Sequence, residues 1–180
     1  MVRRTLVALA LAVAVIPAAA AAQDVKSADL ARQLSQLLDS KKIGVIAAPD
    51  SQTPGTFIAA MYFPGTQLLL VSAQYTAPAL LTELLARKDF QGVYVELSSA
   101  SVQSSRMFVR DAYANGLMVK PNGGQPADVV ENAGKEATFD GGWKKAKMTE
   151  ADYLKSYNDA DAAYMRALQQ LITHLKASGT

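Results

Sequence analysis

Apolar residues recur at helical spacing in two segments, one near each end of the chain. The first segment, residues 27–42, places leucines at i, i+4, i+7 and i+8, which is the spacing of one helical face: Leu30, Leu34, Leu37 and Leu38. We expect Ser27 to cap the N-terminus of this helix. The second segment, 149–177, begins with Thr149 and Asp152 at the spacing of a capping box. The pattern predicts an amphipathic helix in each segment, the second of them about 40 Å long.

The apolar stripe of the second helix is longer than a small domain needs for its own cover. Its members recur at spacings of three or four residues: Tyr153, Tyr157, Ala160, Tyr164, Leu168, Leu171 and Leu175. Stripes of this kind usually pack on the core of their own domain. We expect that arrangement here, with contact between part of the stripe and a partner subunit as the alternative.

Short apolar runs between the two helices are typical of β-strands. The predicted strands cover residues 43–48, 56–63, 67–73, 93–97 and 106–112. Strand two, TFIAAMYF, is apolar on both faces, so both of its faces must be covered. A short helix with Thr76 as its cap separates strands three and four. The order predicts an α+β fold: a small β-barrel of mostly antiparallel strands with a short helix after strand three, an N-terminal helix and a long C-terminal helix.

Residues 1–22 have the pattern of a secretory signal peptide. Arg3 and Arg4 precede an apolar run over 6–16, and alanines before Gln23 offer an A-x-A cleavage site. The run is shorter than the ~20 residues that cross a bilayer, which disfavours the alternative of an uncleaved anchor. We therefore expect a periplasmic or secreted protein with a single domain over 23–180 and no stable membrane insertion after cleavage.

Charge and composition exclude several classes of function. The full chain has 18 Lys and Arg against 16 Asp and Glu, and the loss of Arg3 and Arg4 with the signal peptide leaves the two signs equal in number. A protein without a basic excess is not expected to bind nucleic acid. The chain has no cysteine, which excludes thiolate chemistry and disulfides.

Catalytic motifs do not emerge from the sequence. His174 is the single histidine and lies in the last turns of the predicted C-terminal helix, and no G-x-S-x-G motif is present. A Ser-His-Asp triad is therefore not predicted, and zinc would need further N, S or O ligands beside this histidine. Gly123-Gly124 and Gly141-Gly142 belong to no phosphate-binding motif. No catalytic residue and no metal site are predicted.

Three other features have a structural and a functional interpretation. Arg106 and Arg110 share a face of predicted strand five, where they bind a carboxylate or phosphate if the face points inward and are solvated if it points outward. The outward orientation is the more common one for arginine. Trp143 beside Lys144 and Lys145 is either a packing residue or a stacking surface for a small planar ligand. One helical turn is expected over 128–132.

One part of the chain resembles a known superfamily. The succession GVIAA, TFIAAMYFPGTQLLLVSA, PALLTELLARKD, GVYVEL and RMFVRDA, over about residues 41–112, is similar to the split β-barrel of the pyridoxamine 5′-phosphate oxidase-like, flavin-binding superfamily. The resemblance implies a homodimer with flavin mononucleotide (FMN) at the subunit interface. It also implies a phosphate site near the end of strand three and on central strands. On this chain the matching positions are Ser72, Tyr75, Thr76 and Arg106.

Two functions of different classes follow. Strand two has no basic residue, and the run SAQYTAP after strand three has no lysine, so a flavin phosphate would lack the cations that form the strongest hydrogen bonds to it. We therefore expect an exported split-barrel-like protein that binds a small ligand or a protein partner without catalysis. The alternative is an FMN-dependent oxidoreductase of the pyridoxamine 5′-phosphate oxidase-like type.

Overall fold

The structure, a computed structural model, describes residues 27–75, 107–120, 123–132, 135–139 and 142–178. The predicted signal peptide, the short helix that begins at Thr76, the strand over 93–97, and Arg106 lie outside the described residues. Among the described helices, none combines the length and the apolar character that a bilayer-spanning segment requires.

The described strands form one antiparallel sheet in which each strand pairs with the next along the chain. The strands are β1 (Val45–Pro49), β2 (Phe57–Phe63), β3 (Leu68–Tyr75), β4 (Met107–Asp111), β5 (Val129–Asn132) and β6 (Lys135–Thr138). In the described part of the chain β1 and β6 are the two edges and do not pair with each other, so the sheet is open. The α+β class is confirmed, whereas the described strands do not form a closed barrel.

One prediction about the elements needs correction in the C-terminal half of the sheet, and one strand there was not predicted. Residues 129–132 are strand β5 and not a helical turn, because they pair with β4 through Met107↔Asn132 and Val109↔Val130. Strand β6, which the sequence did not indicate, then pairs with β5. The remaining described strands lie within two residues of their predicted bounds.

Helices α1 (Ala28–Ser40) and α2 (Glu150–Ala177) pack against each other, and both contact the sheet. Leu34 and Leu38 of α1 are fully buried, as the leucine spacing predicts. The stripe of α2 is buried in the same core, so the interpretation of the stripe as an intramolecular core face is confirmed; its buried members are Tyr153, Tyr157, Tyr164, Leu168, Leu171 and Leu175.

The two helix caps differ. At α2 the side chain of Thr149 accepts a hydrogen bond from the backbone N–H of Asp152 at 3.1 Å, so the predicted cap is confirmed. At α1 the side chain of Ser27 makes no capping hydrogen bond. Its hydroxyl oxygen instead accepts the backbone N–H of Leu117 at 2.9 Å. Ser27 therefore occupies the N-cap position of α1, as predicted, but the expected capping by its side chain is wrong.

Both faces of strand β2 are buried, as its sequence predicts. Ile58 and Ala60 point into the core that holds the helices. Ala59 and Met61 point to the opposite face of the sheet, where they form a second apolar cluster with Leu70 and Phe108. The sheet is therefore an apolar layer with cores on both sides, and the candidate sites lie on the helix side.

Candidate functional site

Three buried carboxylates among the described residues are candidates for a chemical role, because burial generally perturbs the pKa of a carboxyl group. Asp111, Asp128 and Asp161 are each nearly or fully buried. Asp111 ends β4, and its carboxylate accepts the backbone N–H groups of Asn115 at 3.1 Å and Gly116 at 2.8 Å. The hydroxyl of Tyr164 on α2 donates to the same carboxylate at 3.1 Å.

Asp128 lies beside Asp111 and binds the same loop from its other end. Its two carboxylate oxygens accept the backbone N–H groups of Ala112 at 2.9 Å and Met118 at 3.0 Å. The pKa of Asp128 is raised to about 6, chiefly by burial and also by the negative charge of Asp111, whereas the hydrogen bonds from Ala112 and Met118 lower it. Burial also raises the pKa of Asp111, although its hydrogen bonds oppose this.

These carboxylates hold the loop between β4 and β5 in place. Their oxygens are engaged by backbone N–H groups of the same loop, and tyrosines of α2 bind its carbonyls: Tyr157 donates to Leu117 at 2.6 Å and Tyr153 to Val119 at 2.9 Å. Perturbed carboxylates often mark active sites, but ion-pair and hydrogen-bond networks that support the fold also perturb them. No group of three or more His, Asp or Glu side chains among the described residues is arranged to hold a metal ion.

A cleft of about 230 Å³ lies between α2 and the sheet, away from these carboxylates. The strands and the loop after β1 form one wall, and α2 forms the other. The lining side chains are Asp50, Gln52, Ile58, Ala73, Met107, Asn132, Ala163, Arg166, Ala167 and Gln170. Five of these ten side chains are apolar, and the buried ones among them, Ile58, Met107 and Ala167, form the floor; the other five are polar or charged. Small-ligand sites combine apolar surface with polar groups that fix orientation.

The loop between β1 and β2 shapes one side of the cleft. The carboxylate of Asp50 accepts the backbone N–H of Gln52 at 2.8 Å, which is an Asx-turn. Gly55 has φ of +82°, a conformation that glycine adopts without strain. The side-chain oxygen of Gln170 on α2 accepts the backbone N–H of Ser51 at 2.9 Å. The loop is therefore fixed both internally and to the opposite wall.

The cleft contains one carboxylate, that of Asp50, and one guanidinium group, that of Arg166, which do not form an ion pair with each other. Asp50 is 8% exposed, and only one of its carboxylate oxygens has a hydrogen-bond partner among the described residues. Arg166 is exposed, and within the described part of the chain its guanidinium group makes no ion pair and no side-chain hydrogen bond. Both groups are consequently available to a ligand.

The residues predicted from the resemblance lie elsewhere or outside the described residues. Ser72 is 3% exposed and pairs with Ala59 and Phe108, so it lies on the sheet face opposite the cleft. Tyr75 is the last residue of β3 and pairs with Phe57. Thr76 and Arg106 lie outside the described residues, so the four predicted positions are not brought together as a site here.

Three other residues singled out from the sequence have clear places in the structure. Arg110 is exposed on β4, in agreement with a solvated outer face. Trp143 is half-buried against the helix-side core, and the Lys144 ammonium lies 5.2 Å from the centroid of its ring. His174 is half-buried on α2 and lines a separate shallow groove with Pro49.

Sequence reasoning missed the residues of the cleft. Arg166 and Gln170 stand four apart on α2, directly beside the apolar stripe, and this spacing is a weak signal because charged residues normally flank such stripes. The Asx-turn at Asp50 is readable from the turn-rich run before Pro54-Gly55, but its place opposite α2 is not.

Comparisons with known proteins give no relative for this chain: no family model matches it, and no curated protein or solved structure is significantly similar to it. The candidate site therefore rests on the geometry of the chain itself.

Proposed function

We propose that this chain is an exported protein that binds a small ligand without transforming it, and that the ligand occupies the cleft between α2 and the sheet. The observation that carries the proposal is Arg166, which lines a cleft that also has apolar side chains and whose guanidinium group has no ion-pair partner among the described residues. A cation at the rim of an apolar cleft fixes the orientation of a ligand.

The size of the cleft supports a small ligand. Its volume of about 230 Å³ lies below the range of roughly 300–1,000 Å³ that is typical of sites for drug-sized molecules. Ile58, Met107 and Ala167 are buried in its floor and offer an apolar contact surface. The amides of Gln52, Asn132 and Gln170 provide both donors and acceptors around it.

Binding without catalysis is supported by the state of the ionisable groups. The carboxylates of Asp111 and Asp128 already accept hydrogen bonds from the loop that they hold. A general acid or base must reach the proton that it transfers. Neither of these two carboxylates lines the cleft, so neither is placed to act on a ligand bound there. The carboxylate that does line it, Asp50, is anchored through one oxygen by the backbone N–H of Gln52, and we assign it a binding role.

Calorimetry on the mature chain, from Gln23 onward, tests the proposal with small organic molecules first selected by their effect on the melting temperature. We expect Arg166→Gln to weaken the binding of a selected ligand by at least about tenfold, since it removes a charge-assisted hydrogen bond. The matched control is Arg32→Gln, at an exposed arginine on α1 that does not line the cleft. Equal affinities of wild type and Arg166→Gln, or no ligand that raises the melting temperature, would overturn the proposal.

The flavin-dependent alternative is tested in the same preparation. An absorbance spectrum of the protein purified without added cofactor, and of the solution after denaturation, reveals any bound flavin. Flavin bands near one per chain would replace the non-catalytic proposal with an FMN-dependent oxidoreductase. Ser72, Tyr75, Thr76 and Arg106 would then be the first positions to substitute.

A further inference from the structure

The two charges of the cleft come from different elements and are held apart. Asp50 follows β1 and is fixed by its Asx-turn to Gln52. Arg166 belongs to α2 and makes no ion pair with Asp50 or with any other described residue. A cleft with one free cation and one carboxylate with a free oxygen suits a ligand that carries both signs of charge.

A ligand with a single charge fits this cleft less well. An anion attracted by Arg166 is repelled by the carboxylate of Asp50, and a cation meets the reverse arrangement. Asp50 is more than nine-tenths buried, so its charge is only weakly screened by solvent. A dipolar ligand instead gains a favourable contact at each end.

We propose that the ligand is a free α-amino acid with a small apolar side chain. Its carboxylate binds the guanidinium of Arg166, its ammonium binds the carboxylate of Asp50, and its side chain lies on the floor formed by Ile58, Met107 and Ala167. This inference rests on the proposed function, since it names the ligand of the same cleft.

The chemistry of each contact supports the assignment. A guanidinium group binds a carboxylate with two parallel hydrogen bonds, which fixes the direction of the ligand. The ammonium group has three donors, of which Asp50 takes one and the oxygens of nearby amides such as Asn132 can take others. The floor has no polar side chain, so amino acids with charged side chains are disfavoured there.

Calorimetry with three compounds that share a 3-methylbutyl chain tests the inference on the wild-type mature chain. The compounds are L-leucine, 4-methylpentanoate, which lacks the ammonium group, and 3-methylbutylamine, which lacks the carboxylate. We expect L-leucine to bind at least about tenfold more tightly than either analogue, because each analogue leaves one charge of the cleft unpaired.

Two substitutions test the two charged contacts separately, by comparing the affinities of L-leucine and its analogues for each variant. Asp50→Asn keeps a side-chain oxygen for the N–H of Gln52 but removes the negative charge, so L-leucine should lose its advantage over 4-methylpentanoate. Arg166→Gln removes the positive charge, so L-leucine should lose its advantage over 3-methylbutylamine. Arg32→Gln, at an exposed position of α1 outside the lining of the cleft, should keep the wild-type preferences.

The outcomes separate this inference from the proposed function. If 4-methylpentanoate binds as tightly as L-leucine and Arg166→Gln abolishes both, the cleft is a ligand site but the ligand is a simple anion, and the inference is overturned. The same holds if L-leucine does not bind while another small molecule binds in an Arg166-dependent way. If no small molecule binds, both proposals are overturned together.

Discussion

Gly116 lies where the loop after β4 passes the N-terminus of α1. Its φ is +84°, and an ideal Cβ added to it would lie 2.5 Å from the backbone nitrogen of Ala28. Backbone atoms cannot move aside as the end of a flexible side chain can, and Gly116 also donates its N–H to Asp111 at 2.8 Å. We expect Gly116→Ala to lower the free energy of unfolding by at least about 3 kcal/mol, as measured by urea denaturation.

Gly124→Ala is the matched control for this substitution. Gly124 has a similar φ of +81°, but an added Cβ there meets no atom within 4 Å. It therefore carries the cost of the left-handed conformation alone, roughly 1–2 kcal/mol. Equal losses in the two variants would show that the close approach to α1 does not limit the residue at position 116.

Ser27 shows what a sequence pattern leaves open at a single position. A serine before a helix can cap that helix, and the sequence of residues 27–42 favours this role. In the structure its hydroxyl oxygen accepts the N–H of Leu117, which is 90 positions away along the chain. No local pattern contains that partner, so the place of the residue could be predicted but its role could not.

Helix α2 is the element whose start can be tested most directly. Thr149 has an extended backbone conformation and accepts the N–H of Asp152, which satisfies one of the free donors of the first turn. We expect Thr149→Ala to lower the free energy of unfolding by about 1 kcal/mol in urea denaturation. Thr173→Ala on the same helix should be close to neutral, because Thr173 is exposed and its hydroxyl only donates to the carbonyl of Gln169 within the helix. A larger loss at Thr173 would contradict the assignment of the cap.

Elements with long periodic patterns were predictable, and short elements were not. The stripes of α1 and α2 extend over several turns, so they fix both the helix and its buried face. Strands β5 and β6 have four residues each, too few to show a period. Their pairing with β4 decides their conformation, since strand preference depends strongly on tertiary contacts. The cleft could not be predicted for the same reason, because only the fold brings its charged residues Asp50 and Arg166 to one site.

At the scale of the whole molecule, Asp111 and Asp128 link the stability of the fold to pH. The pKa of Asp128 is raised from an ordinary value of 3.8 to about 6, chiefly by burial. The negative charge of Asp111 also raises this pKa, whereas the positive charge of Arg110 lowers it. The folded protein therefore holds more protons than the unfolded chain between these two values. Stability from this group is fully present below about pH 4 and is lost as the pH rises through 6.

Asp128→Asn removes this titration. We expect the free energy of unfolding of the wild type, minus that of Asp128→Asn, to fall by about 2 kcal/mol between pH 4 and pH 7, since each unit of pKa shift corresponds to 1.36 kcal/mol. The asparagine offers only one oxygen to the N–H groups of Ala112 and Met118, so the variant is less stable at every pH. This offset does not depend on pH and leaves the slope readable.

Asp39→Asn serves as the control, because Asp39 is exposed in the last turn of α1, at the opposite end of the helix from Ala28, which the loop after β4 approaches. Its difference from the wild type should change little over the same range of pH. If the difference for Asp128→Asn instead rises with pH, the hydrogen bonds from Ala112 and Met118 outweigh burial and stabilise the charged carboxylate. The loop would then be held most firmly in neutral solution, and weakened by acid, which is the opposite of what the burial of two adjacent carboxylates predicts.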